Sequence, residues 1–317
     1  MPSSFSSVQL YDVATEQNFD EDAYLAANPD VRAAVDAGHL KSGIHHFRAF
    51  GMKERRRLKF GTNIENIRSE KLEKLHPLLL HDVTPSASGK LDYLTSDLKK
   101  KYNIVDTENV SAHPYDPVIV EMIYQNKDGL ILDAGAGLRN IYYGNVINYD
   151  IVDYETTDVI GVGEELPFVD NSFEGVISIA VLEHVKDPFK CAAEISRVLK
   201  LGGQLICCVP FLQPLHGYPH HYYNMTHQGL RSLFDKYLKV ERQEVIDSVH
   251  PVHAISWILG SWAQGLHGPI RDAFLKMTVR ELTGDPWVMV NEPYARGLSD
   301  KKKFELACGT LLIGRKE

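Results

Sequence analysis

An acid followed by two glycines spaced one apart, Asp133-Ala134-Gly135-Ala136-Gly137, closes the apolar run Leu130-Ile131-Leu132. Three apolar residues in a row read as a short buried strand, and glycines beyond it let the chain turn sharply and let a ligand approach where a Cβ would collide. The spacing predicts a central parallel strand opening through a tight turn into a helix. The fingerprint G-x-G-x-x-G would need a third glycine where Asn140 stands, so an ordinary strand-to-helix turn fits the pattern too. Asp150 ends the next apolar-polar stretch, 145–150. A carboxylate there, roughly 15–20 residues past the glycines, can accept both hydroxyls of a ribose.

Reactive side chains gather a second time in the stretch 211–224, where His216, His220 and His221 stand among Tyr218, Tyr222 and Tyr223. The stretch follows an apolar run, hence the carboxyl end of a strand, where open α/β sheets bind ligands. Imidazole can take a proton at neutral pH, and aromatic rings can stack on a sugar or another ring. His216 and His221, with His184 after an earlier strand, are therefore candidate general bases, and Tyr218, His220 and Tyr223 candidate acceptor contacts. A purely structural hydrogen bond is the alternative for each histidine. A metal held by His216, His220 and His221 is a further one, although no nearby carboxylate has ligand spacing.

These side chains need a scaffold, and the hydrophobic pattern supplies it. Strands are predicted at 130–133, 145–150, 157–161, 173–182, 204–209, 239–245 and 304–315, with helices at 117–124, 187–198 and 226–234 between them. Alternating strands and helices give a mostly parallel sheet with helices on both faces. Upstream, Asn28-Pro29 starts a helix that Gly38 closes, and Ser42 starts another that Gly51 stops. Residues 64–80 follow a helical pattern with Ile64, Ile67, Leu72 and Leu75 apolar, 81–90 read as a loop, and 91–102 as a charged amphipathic helix. Residues 255–266 read as an apolar, Trp-bearing helix or insertion. The expected organisation is a loose N-terminus (1–18), a helical hairpin (19–60), a helical cap region (61–128) and a catalytic domain (129–317).

The 317 residues allow one large domain with an appendage, and the net charge of −8 argues against sequence-independent nucleic-acid binding. Cys191, Cys207, Cys208 and Cys308 show no C-x-x-C spacing, so neither zinc nor a disulfide framework is expected, and a reducing, cytoplasmic setting is. The first dozen residues lack the basic and apolar regions of a secretory signal. No run approaches the ~18 apolar residues of a membrane span.

The order apolar-apolar-Asp-x-Gly-x-Gly resembles the first motif of the class I S-adenosylmethionine-dependent methyltransferases. Residues 161–174, GVGEELPFVDNSFE, resemble the GDAxxLPFxDxSFD block of their type-11 branch, and Val181-Leu182-Glu183-His184-Val185, Arg197-Val198-Leu199-Lys200 and Gly202-Gly203 follow in the family's order. The resemblance implies a seven-stranded, mostly parallel Rossmann-like sheet and S-adenosyl-L-methionine as cofactor. It implies cofactor contacts from Asp133, Gly135, Ala136, Gly137, Asp150, Val162, Gly163 and Ala180. It also implies a helix over the cofactor site preceded by His113 and Tyr115, which with Glu183 would face the acceptor. Three positions depart from the pattern. Val162 stands where an acid usually meets the adenine amino group, Glu174 where an Asp is usual, and Leu201 where a Pro is usual.

The hairpin, YLAxNPDV followed by HFxxFGxxExR, resembles a short module appended to many bacterial surface-polysaccharide and glycosyltransferase proteins. Together the two resemblances imply O-methylation of a saccharide or other small hydroxylated acceptor, with a protein partner for the hairpin. N- or C-methylation of another small molecule is one alternative. A non-catalytic methyltransferase-like module that docks to glycan-assembly partners is the other.

Overall fold

A computed structural model describes residues 6–107, 110–217, 220–313 and 315. The chain forms two compact units, residues 1–208 and 209–317. The first holds strands β1 (Ser7–Gln9), β2 (Tyr11–Val13), β3 (Arg57–Lys59), β4 (Leu91–Asp92), β5 (Ile131–Ala134), β6 (Ile141–Tyr143), β7 (Val146–Asp150), β8 (Val159–Ile160), β9 (Phe173–Ile179) and β10 (Leu199–Cys208). Six of these form one sheet in the order β10-β9-β5-β7-β8-β4, every neighbouring pair parallel. β5 lies inside it, with all four residues buried, as a continuous apolar run demands.

Helices flank the sheet. Pro117–Gln125 buries Ile119, Met122 and Ile123 against Ile131, Val146 and Ile177. Pro188–Val198 starts with Pro188 in its first turn, is capped by the Asp187 carboxylate on the Lys190 N–H, and buries Cys191, Ala192, Ile195 and Val198. This is the Rossmann-like architecture predicted from the sequence.

Four expectations need correction. The glycine turn does not open into a helix. The residues after it form β6, which pairs antiparallel with β1, Ser7 opposite Tyr143. The Asn140 carbonyl is also claimed by the Leu10 and Tyr11 N–H groups at 2.7 and 3.1 Å, so the N-terminal chain offers partners that a helix would have supplied internally. Residues 91–102 are not one helix. Leu91 and Asp92 become the edge strand β4, and the helix begins only at Ser96, where the Thr95 hydroxyl caps it. Residues 239–245 form no strand; residues 241–245 are exposed and offer no apolar face to bury. Residues 304–315 are not a seventh strand either. Helix Asp300–Leu306, capped by Ser299 and carrying a Lys302–Glu305 pair at 2.6 Å, takes their first part. The sheet therefore has six strands among the described residues.

Helix Glu65–Leu75 departs from its pattern in an instructive way. The residues it buries are Arg68, Lys71 and Leu75. Lys71 Nζ lies 2.6 Å from Asp158 Oδ2 and donates to the Val146 carbonyl at 2.6 Å. Arg68 Nε reaches Asp158 Oδ1 at 3.3 Å, the Tyr142 hydroxyl donates to the same oxygen, and the Asn148 N–H donates to Oδ2 at 2.8 Å. The helix is thus fastened to the sheet by a buried ion cluster as well as by an apolar face.

The hairpin residues form helices Glu21–Ala27, Pro29–Asp36 and Gly43–His46, the last continuing as a π-helical turn, Phe47–Gly51. Each motif residue has a mechanical task. Asn28 Nδ2 donates to the Tyr24 and Arg57 carbonyls, and Arg56 makes a two-pronged contact with Asp30 at 3.0 and 2.9 Å. A Cβ on Gly51 would lie 2.1 Å from the Tyr24 hydroxyl, so the glycine makes room for the buried ring. β2 pairs with β3, and both the Tyr11 hydroxyl and Lys59 Nζ reach Glu155 Oε2, at 2.7 and 2.8 Å.

The second unit is helical among its described residues. Its main helix, Pro251–Gln264, takes most of the expected span 255–266, starts four residues earlier, at a Pro capped by the His250 ring, and ends two residues sooner, before Gly265. No described helix is long and apolar enough to cross a membrane.

Candidate active site

Because neighbouring strands are parallel, β5, β7, β8 and β9 end on one rim of the sheet, the rim where such sheets take ligands. Gly135 and Gly137 sit there with φ of +94° and +62°. A Cβ on Gly135 would lie 2.3 Å from Val181 Cγ2, and one on Gly137 2.6 Å from the Ser111 carbonyl oxygen. Both backbone angle and space call for glycine. Gly135→Val is accordingly expected to lower the unfolding midpoint in a thermal melt; an unchanged midpoint would show that the turn can relax around a side chain.

Backbone and side chains of 111–116 run across this turn. The Leu138 N–H donates to the Ser111 carbonyl at 2.8 Å, and the Ser111 N–H donates to the Tyr154 hydroxyl at 3.3 Å. Arg139 is buried. Its Nε and Nη2 lie 2.8 and 2.7 Å from Asp133 Oδ2, its Nη1 donates to the His113 carbonyl at 3.0 Å, and its guanidinium lies 4.2 Å from the Tyr115 ring centre. The Tyr115 hydroxyl donates to the same Asp133 oxygen. Burial holds the Tyr115 phenol well above its ordinary pKa, so it stays a neutral donor. Burial, then the Arg139 charge, pulls the His113 imidazole below its ordinary value. A narrow cleft remains, lined by Ser111, His113, Tyr115, Gly135, Ala136 and Arg139.

Asp150 ends β7 beside this turn. Its Oδ2 accepts the Gly137 N–H at 2.8 Å and its Oδ1 the Val152 N–H at 2.9 Å. Burial raises its carboxyl to about 6 even though both amides favour the charged form. A carboxylate has about four acceptor sites, so two amide bonds leave capacity for a diol.

Val162 and Gly163 follow β8. Val162 is buried, and its carbonyl accepts the Tyr149 hydroxyl at 2.8 Å. Glu164 beside them is buried, and burial raises its carboxyl. Ala180 follows β9 in the left-handed region, φ 54°, with its N–H donating to the Cys208 carbonyl at 2.9 Å. Glu183 is fully buried, and burial raises its carboxyl to about 8. His184 Nε2 lies 3.7 Å from Glu183 Oε1.

His113, Tyr115, Gly135 and Ala136 thus converge on one cleft, with Asp133 buried behind its Tyr115 and Arg139, and Gly137 hydrogen-bonded to Asp150. Arg139 was not singled out in the sequence. An arginine two residues past a glycine turn, amid apolar neighbours, was the signal available.

The histidine stretch belongs to the second unit. The His216 N–H donates to His221 Nδ1 at 3.1 Å, and the two rings are 4.2 Å apart. His216 Nδ1 faces the Pro214 carbonyl at 2.9 Å, and His221 Nε2 faces Asn224 Oδ1 at 2.9 Å. A carbonyl oxygen only accepts, so neutral His216 carries its proton on Nδ1 and its lone pair on Nε2. His221 must accept at Nδ1 and donate at Nε2. The Trp257 ring lies 5.1 Å from His216, and the His220 ring 5.2 Å from Tyr222, which is 6.2 Å from Tyr223. Tyr218 lies outside the described residues.

Residues 138–207 match the model of a family described as a methyltransferase domain, a span that starts directly after Gly137 and covers less than half of the chain. A 48-residue stretch is 44% identical to an uncharacterised protein of Methanocaldococcus jannaschii and covers 15% of this chain and 23% of that one. The chain therefore spans less than a quarter of that relative's length. Among solved structures, the YcgJ protein of Bacillus subtilis is 21% identical with a TM-score of 0.28, over 38% of this chain and 66% of that one. Phosphoethanolamine N-methyltransferase 2 of Haemonchus contortus, solved with S-adenosyl-L-methionine, is 16% identical with a TM-score of 0.33, over 59% of this chain and 47% of that one.

Proposed function

We propose that this chain, which carries a methyltransferase domain of the type-11 branch of the class I enzymes, transfers the methyl group of S-adenosylmethionine to an oxygen of a saccharide or other small hydroxylated acceptor. The observation that carries the cofactor half is the rim around the glycine turn. Gly135 and Gly137 leave no room for a Cβ, and Asp133 Oδ1 is buried without a hydrogen-bond partner among the described residues. Asp150 is buried with acceptor capacity to spare. These residues fit the group. Asp150 would take the ribose hydroxyls, Gly135, Ala136 and Gly137 would line its path, and Val162, Gly163, Ala180 and the neighbouring Glu164 would meet the adenine side.

When bound, the cofactor supplies a methyl carbon on a sulfonium, open to in-line displacement with a neutral leaving group. The work left to the chain is to position two reactants and to take a proton from the attacking hydroxyl. His216 suits the second task best, since its Nε2 carries the lone pair while Nδ1 is fixed on the Pro214 carbonyl. Tyr222, Tyr223 and Trp257 offer faces on which a sugar ring can stack. His113, Tyr115 and Glu183 are the acceptor contacts proposed from the first unit. The hairpin 19–60 is proposed as an accessory module for a protein partner of glycan assembly.

Calorimetric titration with S-adenosylmethionine, followed by activity on a panel of nucleotide sugars, glycans, phenols and amines, tests both halves. Methyl transfer to amines alone would overturn the acceptor class. The cofactor half also has a pH signature. Asp150 must be ionised to accept the ribose hydroxyls, and its carboxyl titrates at about 6. Affinity should be full above pH 7 and fall as the pH drops through 6, by roughly tenfold per unit below it. Asp150→Asn should bind weakly and show no such slope. A wild-type affinity that is flat between pH 5 and 7 would remove Asp150 from the site.

A further inference from the structure

We propose that the chain carries a second small-molecule site, a slot between helix Glu65–Leu75 and the stretch 79–91, and that it takes an amphipathic amine: an ammonium head on an apolar body. The assignment does not depend on the cofactor reading. The slot measures about 730 Å³, within the usual range of small-ligand sites, roughly 300–1,000 Å³. Arg68 and Leu91 line it, and both stand at the amino ends of the strands. Arg68 reaches Asp158, which directly precedes β8, and Leu91 is the first residue of β4. The glycine turn lies on the opposite rim of the sheet.

Both walls are anchored without filling the space between them. Lys71 and Arg68 hold the helix on Asp158. The facing stretch is held at its start by the Leu80 N–H on the Pro167 carbonyl at 3.0 Å, and at its end by the pairing of Leu91 with Val159. Between these points the Gly89 N–H closes a turn on the Ser86 carbonyl at 2.9 Å. Two contacts bridge the walls. Arg68 Nη1 donates to the Ser88 carbonyl at 3.3 Å, and His76 Nε2 lies 3.2 Å from Asp82 Oδ1. From Arg68 to His76 the helix side rises about 12 Å. The slot is thus stopped at both ends, so it suits a molecule that ends inside it and not a peptide that runs through.

The lining sets the ligand's chemistry. Leu72 on the helix faces Leu79, Val83 and Leu91, which gives a hydrocarbon body apolar surface to cover. The acids stand at one end. Asp82 is there on His76, and Glu73 is one helical turn from His76, since residues three apart on a helix are neighbours. Both carboxylates are exposed, and Glu73 makes no ion pair among the described residues. Arg68 is already engaged, with Nε on Asp158 and its terminal nitrogens on the Ser88 and Glu155 carbonyls. An anionic head would meet Glu73 and Asp82 there, whereas an ammonium finds two acceptors at the end of an apolar slot.

The test titrates n-octylammonium, n-octanol and n-octanoate calorimetrically into the full chain, with a thermal melt of each variant to confirm its fold. Wild type should bind the ammonium about 3- to 10-fold more tightly than the alcohol, the size expected of exposed ion pairs, and the octanoate more weakly than either. Glu73→Gln combined with Asp82→Asn should bring the ammonium down to the level of the alcohol and leave the alcohol within about twofold. Ser69→Trp, which sets a large ring on the helix wall, should abolish binding of both. Should that variant fail to fold, the exposed Glu73 and Asp82 pair decides alone. A wild type that binds none of the three, or prefers the octanoate, overturns the proposal. So does an ammonium preference that survives the double substitution. Ammonium binding untouched in folded Ser69→Trp places the amine elsewhere on the molecule and overturns the slot as its site.

Discussion

Asp158→Ala is expected to unfold about 3–5 kcal/mol more readily than the wild-type chain, the usual result of removing one member of a buried ion pair. Lys71 is fully buried, and its ammonium then keeps the Val146 and Tyr143 carbonyls, at 2.6 and 3.4 Å, and the Tyr142 ring face, at 3.7 Å, but no carboxylate partner among the described residues. The Tyr142 hydroxyl and the Asn148 N–H lose their acceptor, and Arg68 loses its carboxylate. Helix Glu65–Leu75 would be released from the sheet at β7, the strand that ends in Asp150, and at β8 beside it. Lys71→Met in the same chain should recover a good part of the loss, because it removes the stranded charge and fills the volume with apolar atoms. The loss should also shrink at high pH. Burial lowers the Lys71 ammonium to about 8, with Asp158 opposing that shift. A lowered lysine weakens the fold while both states are charged and stops doing so as the pH rises from its folded value toward 10.5, since the unfolded chain then holds more protons. Without Asp158 that relief begins at lower pH. Urea denaturation at pH 7 and pH 9 reads both effects. A loss below about 1 kcal/mol at pH 7 would mean that water reaches the cluster and solvates Lys71.

The same cluster shows where sequence reading stops. Ile64, Ile67, Leu72 and Leu75 gave a helix correctly, since period alone identifies one, but nothing in that period marks Arg68 and Lys71 as buried. Their burial depends on Asp158, ninety residues along, and no local pattern reports a partner at that distance. The glycine turn repeats the lesson. Asp133, the two glycines and Asp150 were legible because their chemistry is local. The missing helix was not, because β6 owes its existence to β1, at the far end of this unit.

The block at 161–203 was legible as a motif, and the structure gives it mechanical content. Arg197 donates to the Phe168 and Leu166 carbonyls at 2.6 and 3.1 Å and pairs with Asp170 at 3.0 Å. Glu174, the longer acid in place of the usual one, reaches the Leu130 N–H at 2.9 Å and so holds the start of β5. The two strands expected in the second unit failed for a different reason. Neither stretch has a two-residue period over its length, and helix caps and i,i+3 charge pairs decided the second of them.

Turnover of His216→Ala should fall by about 10²–10⁴-fold with little change in affinity for S-adenosylmethionine, the size expected when a general base is lost. The hydrogen bonds separate His216 from its neighbour. His221 Nδ1 accepts the His216 N–H and its Nε2 faces Asn224, so His221 can act as a base only by giving up the bond that shapes the loop. His221→Ala should therefore act through His216, raising the Michaelis constant for the acceptor and lowering turnover less than His216→Ala does. His184 sits 3.7 Å from Glu183, whose carboxyl burial raises to about 8, so at neutral pH this pair gives His184 little carboxylate to lean on. His184→Ala should have the smallest effect on turnover. A pH–rate profile completes the comparison. Its acidic limb, which reports protonation of the base, should vanish in His216→Ala and persist in the other two. If all three variants keep near-normal turnover and the limb survives in each, proton removal belongs to water, and placing the hydroxyl in line with the methyl carbon carries the reaction by proximity alone.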